Sequence, residues 1–149
     1  MSEGVQQDAV PTVLVVEDNP ADVRLVEEGI AAADTDLELR VYNNGNRAVE
    51  WITSDTPQRH QPNLVLLDLN IPGKSGLEVL RAVREESEFS RVPVAVVSSS
   101  KNPDDARRVY DQSADAYVTK PADPDQYIQM IGTAVRFWIP TADTQPNDE

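Results

Sequence analysis

Four short apolar runs in this chain each stop at a residue able to do chemistry. Thr12-Val13-Leu14-Val15-Val16 is followed by Glu17-Asp18, and Asn63-Leu64-Val65-Leu66-Leu67 by Asp68. Val94-Ala95-Val96-Val97 is followed by Ser98, and Ala116-Tyr117-Val118-Thr119 by Lys120-Pro121. Runs of this length, separated by stretches with helical periodicity, read as strands alternating with helices. Such alternation builds a parallel sheet, since each crossover helix returns the chain to the same starting edge. Parallel strands bring their carboxyl ends to one edge. That edge then holds three carboxylates, a hydroxyl and a lysine.

The intervening segments carry their own start signals. Asn19-Pro20, Asn102-Pro103 and Asp123-Pro124 each place a capping side chain before a proline at the first helical position. Val23, Val26, Ile30 and Ala33 recur at helical spacing, as do Ala48, Val49 and Ile52 after the Asn44-Gly45 turn. Gly76, Leu77, Val79, Leu80 and Val83 mark a third helix, and Tyr127, Ile128, Ile131, Val135 and Trp138 the stripe of a fifth. Leu37, Leu39 and Val41 alternate with polar residues and give a second strand. Strands one (12–17), three (63–68) and four (92–98) are apolar throughout, as central strands covered on both faces are. Strands two and five (115–120) alternate, as edges do. The predicted fold is α/β, a doubly wound five-stranded parallel sheet of order 2-1-3-4-5 with five helices. Its topological switch point lies between strands one and three, where ligands bind outside the carboxyl ends.

The remaining features bound the function. At 149 residues the chain is most simply one domain, expected over 11–139, with a polar leader (1–10) and a polar tail (140–149). It has no cysteine, so neither a disulfide framework nor thiol chemistry is available. No apolar stretch reaches the ~20 residues of a membrane span, and the start lacks a signal-peptide pattern. A cytoplasmic protein is expected. Twenty-six acids against 13 bases give a net charge of −13, which argues against binding to nucleic acid or to an anionic membrane. Only three of the bases are lysines. An acid-rich, lysine-poor surface fits a salt-loving source, where screening shortens self-repulsion, and fits an ordinary acidic protein equally.

Hard oxygen donors suit Mg²⁺, with Asp18 and Asp68 each supplying one oxygen, Glu17 holding a coordinated water and a backbone carbonyl just after Asp68 adding another. A metal there relieves the repulsion among three close acids. Asp68 is the acid best placed to be a nucleophile, because carboxylates form acyl-phosphates. Magnesium, Lys120 and Ser98 could then each meet a phosphoryl oxygen.

These residues, in this order and on these elements, resemble the receiver (response regulator) domain of two-component signalling over residues 12 to 138. The carriers are Glu17-Asp18, Asp68 with Ile71-Pro72 and Gly76 following, Ser98, and Lys120-Pro121. The resemblance implies that Asp68 is the phospho-acceptor, Asp18 the direct magnesium ligand, Glu17 its water-mediated partner and Asn70 the source of the backbone ligand. It implies that Ser98 is the switch hydroxyl, Lys120 the paired cation and Tyr117 the aromatic switch, a static edge tyrosine being the plain alternative. Asn70 and Ser100 match positions that tune phosphoryl lifetime. Four departures stand out. Glu17 replaces the commoner Asp, Ser113 sits where a helix-ending glycine is usual, Ala122 replaces a bulky apolar residue, and Ser99 a smaller one.

The implied function is a single-domain response regulator, similar to the small receivers of phytochrome-type sensor kinases on the strength of Arg136-Phe137-Trp138-Ile139. Its donor would be a sensor histidine kinase. Its output would be a downstream protein target or a phosphotransfer protein, through the helix 4–strand 5–helix 5 surface, where a homodimer is also open. A phosphorelay intermediate or phosphate sink is the alternative. An aspartate-nucleophile phosphatase is the rival class, weakened because Asn70 stands where such enzymes want a second acid. A magnesium-independent scaffold is a third reading. Gly73-Lys74-Ser75 imitates the end of a phosphate-binding loop, but the glycine required five residues earlier is Asp68. Trp51 reads as core, His60 as a solvated loop residue, and Phe137 and Trp138 as part core and part interface.

Overall fold

A computed structural model describes residues 10–54 and 61–139 of the chain. In chain order the elements are β1 (Thr12–Val16), α1 (Pro20–Ala33), β2 (Glu38–Tyr42), α2 (Gly45–Ile52), β3 (Leu64–Leu67), α3 (Gly76–Glu86), β4 (Val94–Ser98), α4 (Pro103–Asp111), β5 (Ala116–Thr119) and α5 (Pro124–Trp138). The strands form one parallel sheet of order β2-β1-β3-β4-β5, with the expected switch point between β1 and β3. Against the expected ranges, β1 is one residue shorter and β3, β4 and β5 are each two residues shorter. Leader and tail, and His60, lie outside the described residues except for Val10.

The period of two along each strand divides the core into two layers. Val13 and Val15 face α1 and α5 in a cluster with Val26, Leu66, Val97, Ile131 and Val135. Leu14 and Val16 face α2, α3 and α4 in a cluster with Ile52, Leu67, Leu80, Val96 and Val109. Strands β1, β3 and β4 are buried at every position, whereas β2 and β5 are partly exposed along their length. That contrast is the one expected of central and edge strands.

The caps form as the sequence predicts. Asn19, Asn102 and Asp123 accept backbone N–H bonds in the first turns of α1, α4 and α5, each followed by proline. A capping box starts α3: Ser75 accepts from the Glu78 N–H, and the Glu78 carboxylate accepts from the Ser75 N–H. Ser113, the departure after α4, adopts the left-handed conformation at φ 69° that a glycine would take more cheaply. Its carbonyl accepts from Arg84 at 3.0 Å. The same guanidinium also binds the carbonyls of Ser90 and Val92 and the carboxylate of Asp115. One arginine thus ties α3 to the loop before β4 and to the turn before β5. Trp51 is half-buried rather than fully core, stacked at a tilt between Tyr42 and Phe89 under the Arg40 guanidinium.

The loop after β3 folds back against the start of α3. A Cβ on Gly76 would stand 2.3 Å from the Asp68 carbonyl oxygen and 2.6 Å from the Leu69 Cα. The Gly76 N–H donates to the Leu69 carbonyl at 3.0 Å. Only glycine admits this approach, and it sets where Asp68 ends its strand. Gly76→Ala should therefore lower stability in urea unfolding by about 1–3 kcal/mol, the usual cost of forced overpacking. An unchanged midpoint would show that the loop gives way freely.

Candidate functional site

The first residues beyond the strands are held in register by continued ladder bonds. Glu17 N–H donates to the Tyr42 carbonyl at 3.0 Å, Asp68 N–H to Val16 at 3.1 Å, and Lys120 N–H to Ser98 at 2.8 Å. Rigid backbone therefore delivers these side chains to one edge, as the parallel arrangement requires. Glu17 and Asp68 are buried and Asp18 is exposed, yet carboxylate oxygens of all three lie within 4.8 Å of one another. This is a cluster of hard donors with an open side, which fits a divalent cation that keeps some of its water. The Asn70 N–H donates to Asp68 Oδ1 at 3.1 Å, and Asn70 also lines a groove with Leu69, Ser75, Leu77, Asp105 and Arg108.

The cation of the site is shared more widely than the sequence suggests. Lys120 Nζ lies 2.9 Å from Glu17 Oε1, 2.9 Å from Asp68 Oδ2 and 2.7 Å from Asp22 Oδ2. Asp22 was not anticipated. The Asn19-Pro20 start puts residue 22 in the first turn of α1, at the same edge, but nothing in the sequence pairs it with Lys120. Burial lowers the affinity of the ammonium for its proton, but the hydrogen bonds to Asp22, Asp68 and Glu17 outweigh it and hold Lys120 firmly protonated. Burial pushes the Glu17 carboxyl from 4.5 up to about 7, against the pull of Lys120 and with the added repulsion of Asp68. Tyr127, expected only as core, packs beneath these groups, and burial raises its phenol well above the usual range.

Ser98 is fully buried, and its hydroxyl accepts from the Ser100 N–H at 3.1 Å. The Ser100 hydroxyl donates to Asp105, the Ser100 carbonyl accepts from the Tyr117 hydroxyl at 3.2 Å, and the Tyr117 N–H donates to the Tyr110 oxygen at 3.1 Å. Among the described residues no hydrogen bond joins Ser98 or Tyr117 to the carboxylates. They form a second network, on the β4–α4 loop, beside the first.

Residues 13–132 match the family model of the response regulator receiver domain. The chain belongs to the response regulator receiver family. Response regulator Rcp1 of Synechocystis sp. is 34% identical over 131 residues, covering 87% of this chain and 89% of the relative. The phosphorylated cyanobacterial phytochrome response regulator RcpA has a solved structure with a TM-score of 0.81 at 35% identity, covering 87% of this chain and 94% of that one. The Mn²⁺-bound form of Rcp1 gives a TM-score of 0.80 at 32% identity, covering 93% and 99%. The receiver fold and the strand order of this chain are therefore those of its family. Among the described residues no helix is long and apolar enough to cross a membrane.

This receiver's acids depend on Lys120 when no metal is bound. The folded Glu17 value lies above the unfolded one, so the protonated carboxyl contributes stability in full below about pH 4.5, and that contribution is lost as pH rises through about 7. Lys120→Met leaves the same acids without their cation. At about pH 8 it should cost on the order of 3–5 kcal/mol in urea unfolding without metal, and markedly less at about pH 5, where Glu17 takes up a proton instead. An equal loss at both values would show that the lysine stabilises by packing alone.

Proposed function

We propose that this receiver accepts a phosphoryl group on Asp68 from the phosphohistidine of a sensor histidine kinase. The observation that carries the reading is the position of the Asp68 carboxylate, which belongs to a cluster of three acids suited to a divalent cation and also pairs with a lysine ammonium at 2.9 Å. The ammonium, and a cation held by those acids, would both oppose the repulsion between an anionic nucleophile and an anionic donor. Mg²⁺ held by Asp18, Asp68 and the Asn70 carbonyl, with Glu17 acting through a water, would neutralise charge on the transferring group. An oxygen of Asp68 forms the new bond to phosphorus as the N–P bond of the donor breaks. The leaving imidazole nitrogen keeps the electron pair. Lys120 donates to a phosphoryl oxygen, and Ser98 turns its hydroxyl from the Ser100 N–H toward another.

That turn supplies a route outward. Ser100 is bonded at once to Ser98, Asp105 and Tyr117. Movement of the loop therefore changes the anchor of Tyr117 and the start of α4. Either change biases the α4–β5–α5 surface between two arrangements. That surface ends in an apolar groove lined by Val118, Met130, Ala134, Phe137 and Trp138. Phe137 is 74% exposed and Trp138 is half-buried, which suits a protein target, a phosphotransfer protein or a second copy of the chain. A kinase of the phytochrome type is favoured by the likeness to RcpA, described as a cyanobacterial phytochrome response regulator. A cytoplasmic module spanning residues 11–139 is the form this reading implies.

Intact mass after incubation with acetyl phosphate tests the chemistry. The wild type should gain one phosphoryl group with Mg²⁺ and none without it, and Asp68→Asn should gain none. A gain in Asp68→Asn would place the acceptor elsewhere. Continuous turnover of unrelated phosphoesters would favour a phosphatase.

A further inference from the structure

Lys120 commits its whole hydrogen-bonding capacity in this structure. An ammonium has three N–H donors and no acceptor. Those of Lys120 go to Asp22, Glu17 and Asp68. Asp22 lies outside the trio of acids whose oxygens cluster within 4.8 Å. Its carboxylate reaches the site through the ammonium, and at 2.7 Å that contact is the shortest of the three.

Phosphorylation of Asp68 rearranges the demand on Lys120. One Asp68 oxygen becomes the bridging oxygen of an acyl phosphate, and three phosphoryl oxygens carrying up to about two negative charges appear beside it. The donor now on Asp68 can pass to the phosphoryl group, but a second Lys120 donor reaches it only if Glu17 or Asp22 gives one up. Glu17 is poorly placed to release one, because its side chain is 5% exposed and is also held by the Asn19 N–H at 3.1 Å. Leaving that carboxylate unpaired in a buried position is costly. Asp22 is 19% exposed and stands in the first turn of a 14-residue helix, where free backbone N–H groups favour a carboxylate even without a lysine. It is the partner that can let go and be rehydrated.

We infer that Asp22 is a competing carboxylate that holds Lys120 in the resting state and weakens the site's grip on a phosphoryl group. The inference rests on the phosphoryl reading of the site. Its charge acts in the same direction as its hydrogen bond, since it stands one ammonium away from the group that must bind. Asp22 is thus a positioning residue acting through Lys120, and it sets the affinity for the phosphoryl group rather than the identity of the acceptor.

Beryllofluoride, a mimic of the acyl-phosphate group, titrated at saturating Mg²⁺ and followed by fluorine NMR, tests this on the full chain. Asp22→Asn keeps the size and drops the charge, and Asp22→Ala drops the hydrogen bond as well. Both should bind beryllofluoride more tightly than wild type, by roughly five- to tenfold. Glu27→Gln removes one charge from an exposed position of the same helix away from Lys120. It should change affinity by less than about twofold, because solvent and salt screen it. Unchanged or weaker binding in both Asp22 variants overturns the inference, and Asp22 would then orient Lys120 instead of competing for it. An equal gain in Glu27→Gln overturns it too, with overall charge as the cause. A folded wild type that binds no beryllofluoride overturns the phosphoryl reading itself, which keeps the two failures apart.

Discussion

The ammonium of Lys120 sits against Asp22, Glu17 and Asp68 at once, and the carboxyl edge of the sheet is organised around that contact. A parallel sheet delivers its strand ends to one place regardless of their charge. Here it delivers Glu17, Asp18 and Asp68 within a few ångströms, two of them buried. Without a cation such a group would take up protons or push its loops apart. The raised Glu17 value shows that the lysine offsets the cost of burial only in part. A divalent cation at this edge would relieve the remaining deficit.

The backbone explains why this arrangement is stiff enough to work. Ladder bonds continue one residue past β1, β3 and β5, so Glu17, Asp68 and Lys120 are fixed by the sheet rather than by flexible loops. Gly76 lets the loop after Asp68 pack under the start of α3. At the opposite end of the sheet, Arg84 fastens three segments together. Rigidity is thereby concentrated in Asp68 and Lys120. The β4–α4 loop is held instead by side-chain bonds around Ser100, which can be exchanged singly.

Much of this was legible in the chain itself. The unbroken apolar runs of β1, β3 and β4 fixed the central strands, and the Asn-Pro and Asp-Pro pairs fixed three helix starts, because both signals are local and strong. The order of Glu17, Asp18, Asp68, Ser98 and Lys120 along alternating elements sufficed to recover the family. Asp22 was not legible, since a first-turn acid on an amphipathic helix is ordinarily a solvated charge near the helix dipole. Only the packing of α1 beside the β5–α5 loop reveals its partner. At Ser113 the residue type carries no signal for positive φ, and only its place, where a helix-ending glycine is usual, marks the turn. The half-burial of Trp51 depends on Arg40 and Phe89, which are distant in sequence.

The most direct test of the site is a crystal structure of the chain with Mg²⁺ and beryllofluoride. The expected result is beryllium bonded to an Asp68 carboxylate oxygen, the metal in contact with Asp18 and Asp68, and fluorine atoms accepting from Lys120 Nζ and the Ser98 hydroxyl. Asp68 left bare, with Lys120 still paired to it and Ser98 still bound to the Ser100 N–H at full beryllofluoride, would contradict a phospho-acceptor role and leave the acids as structural partners of the lysine.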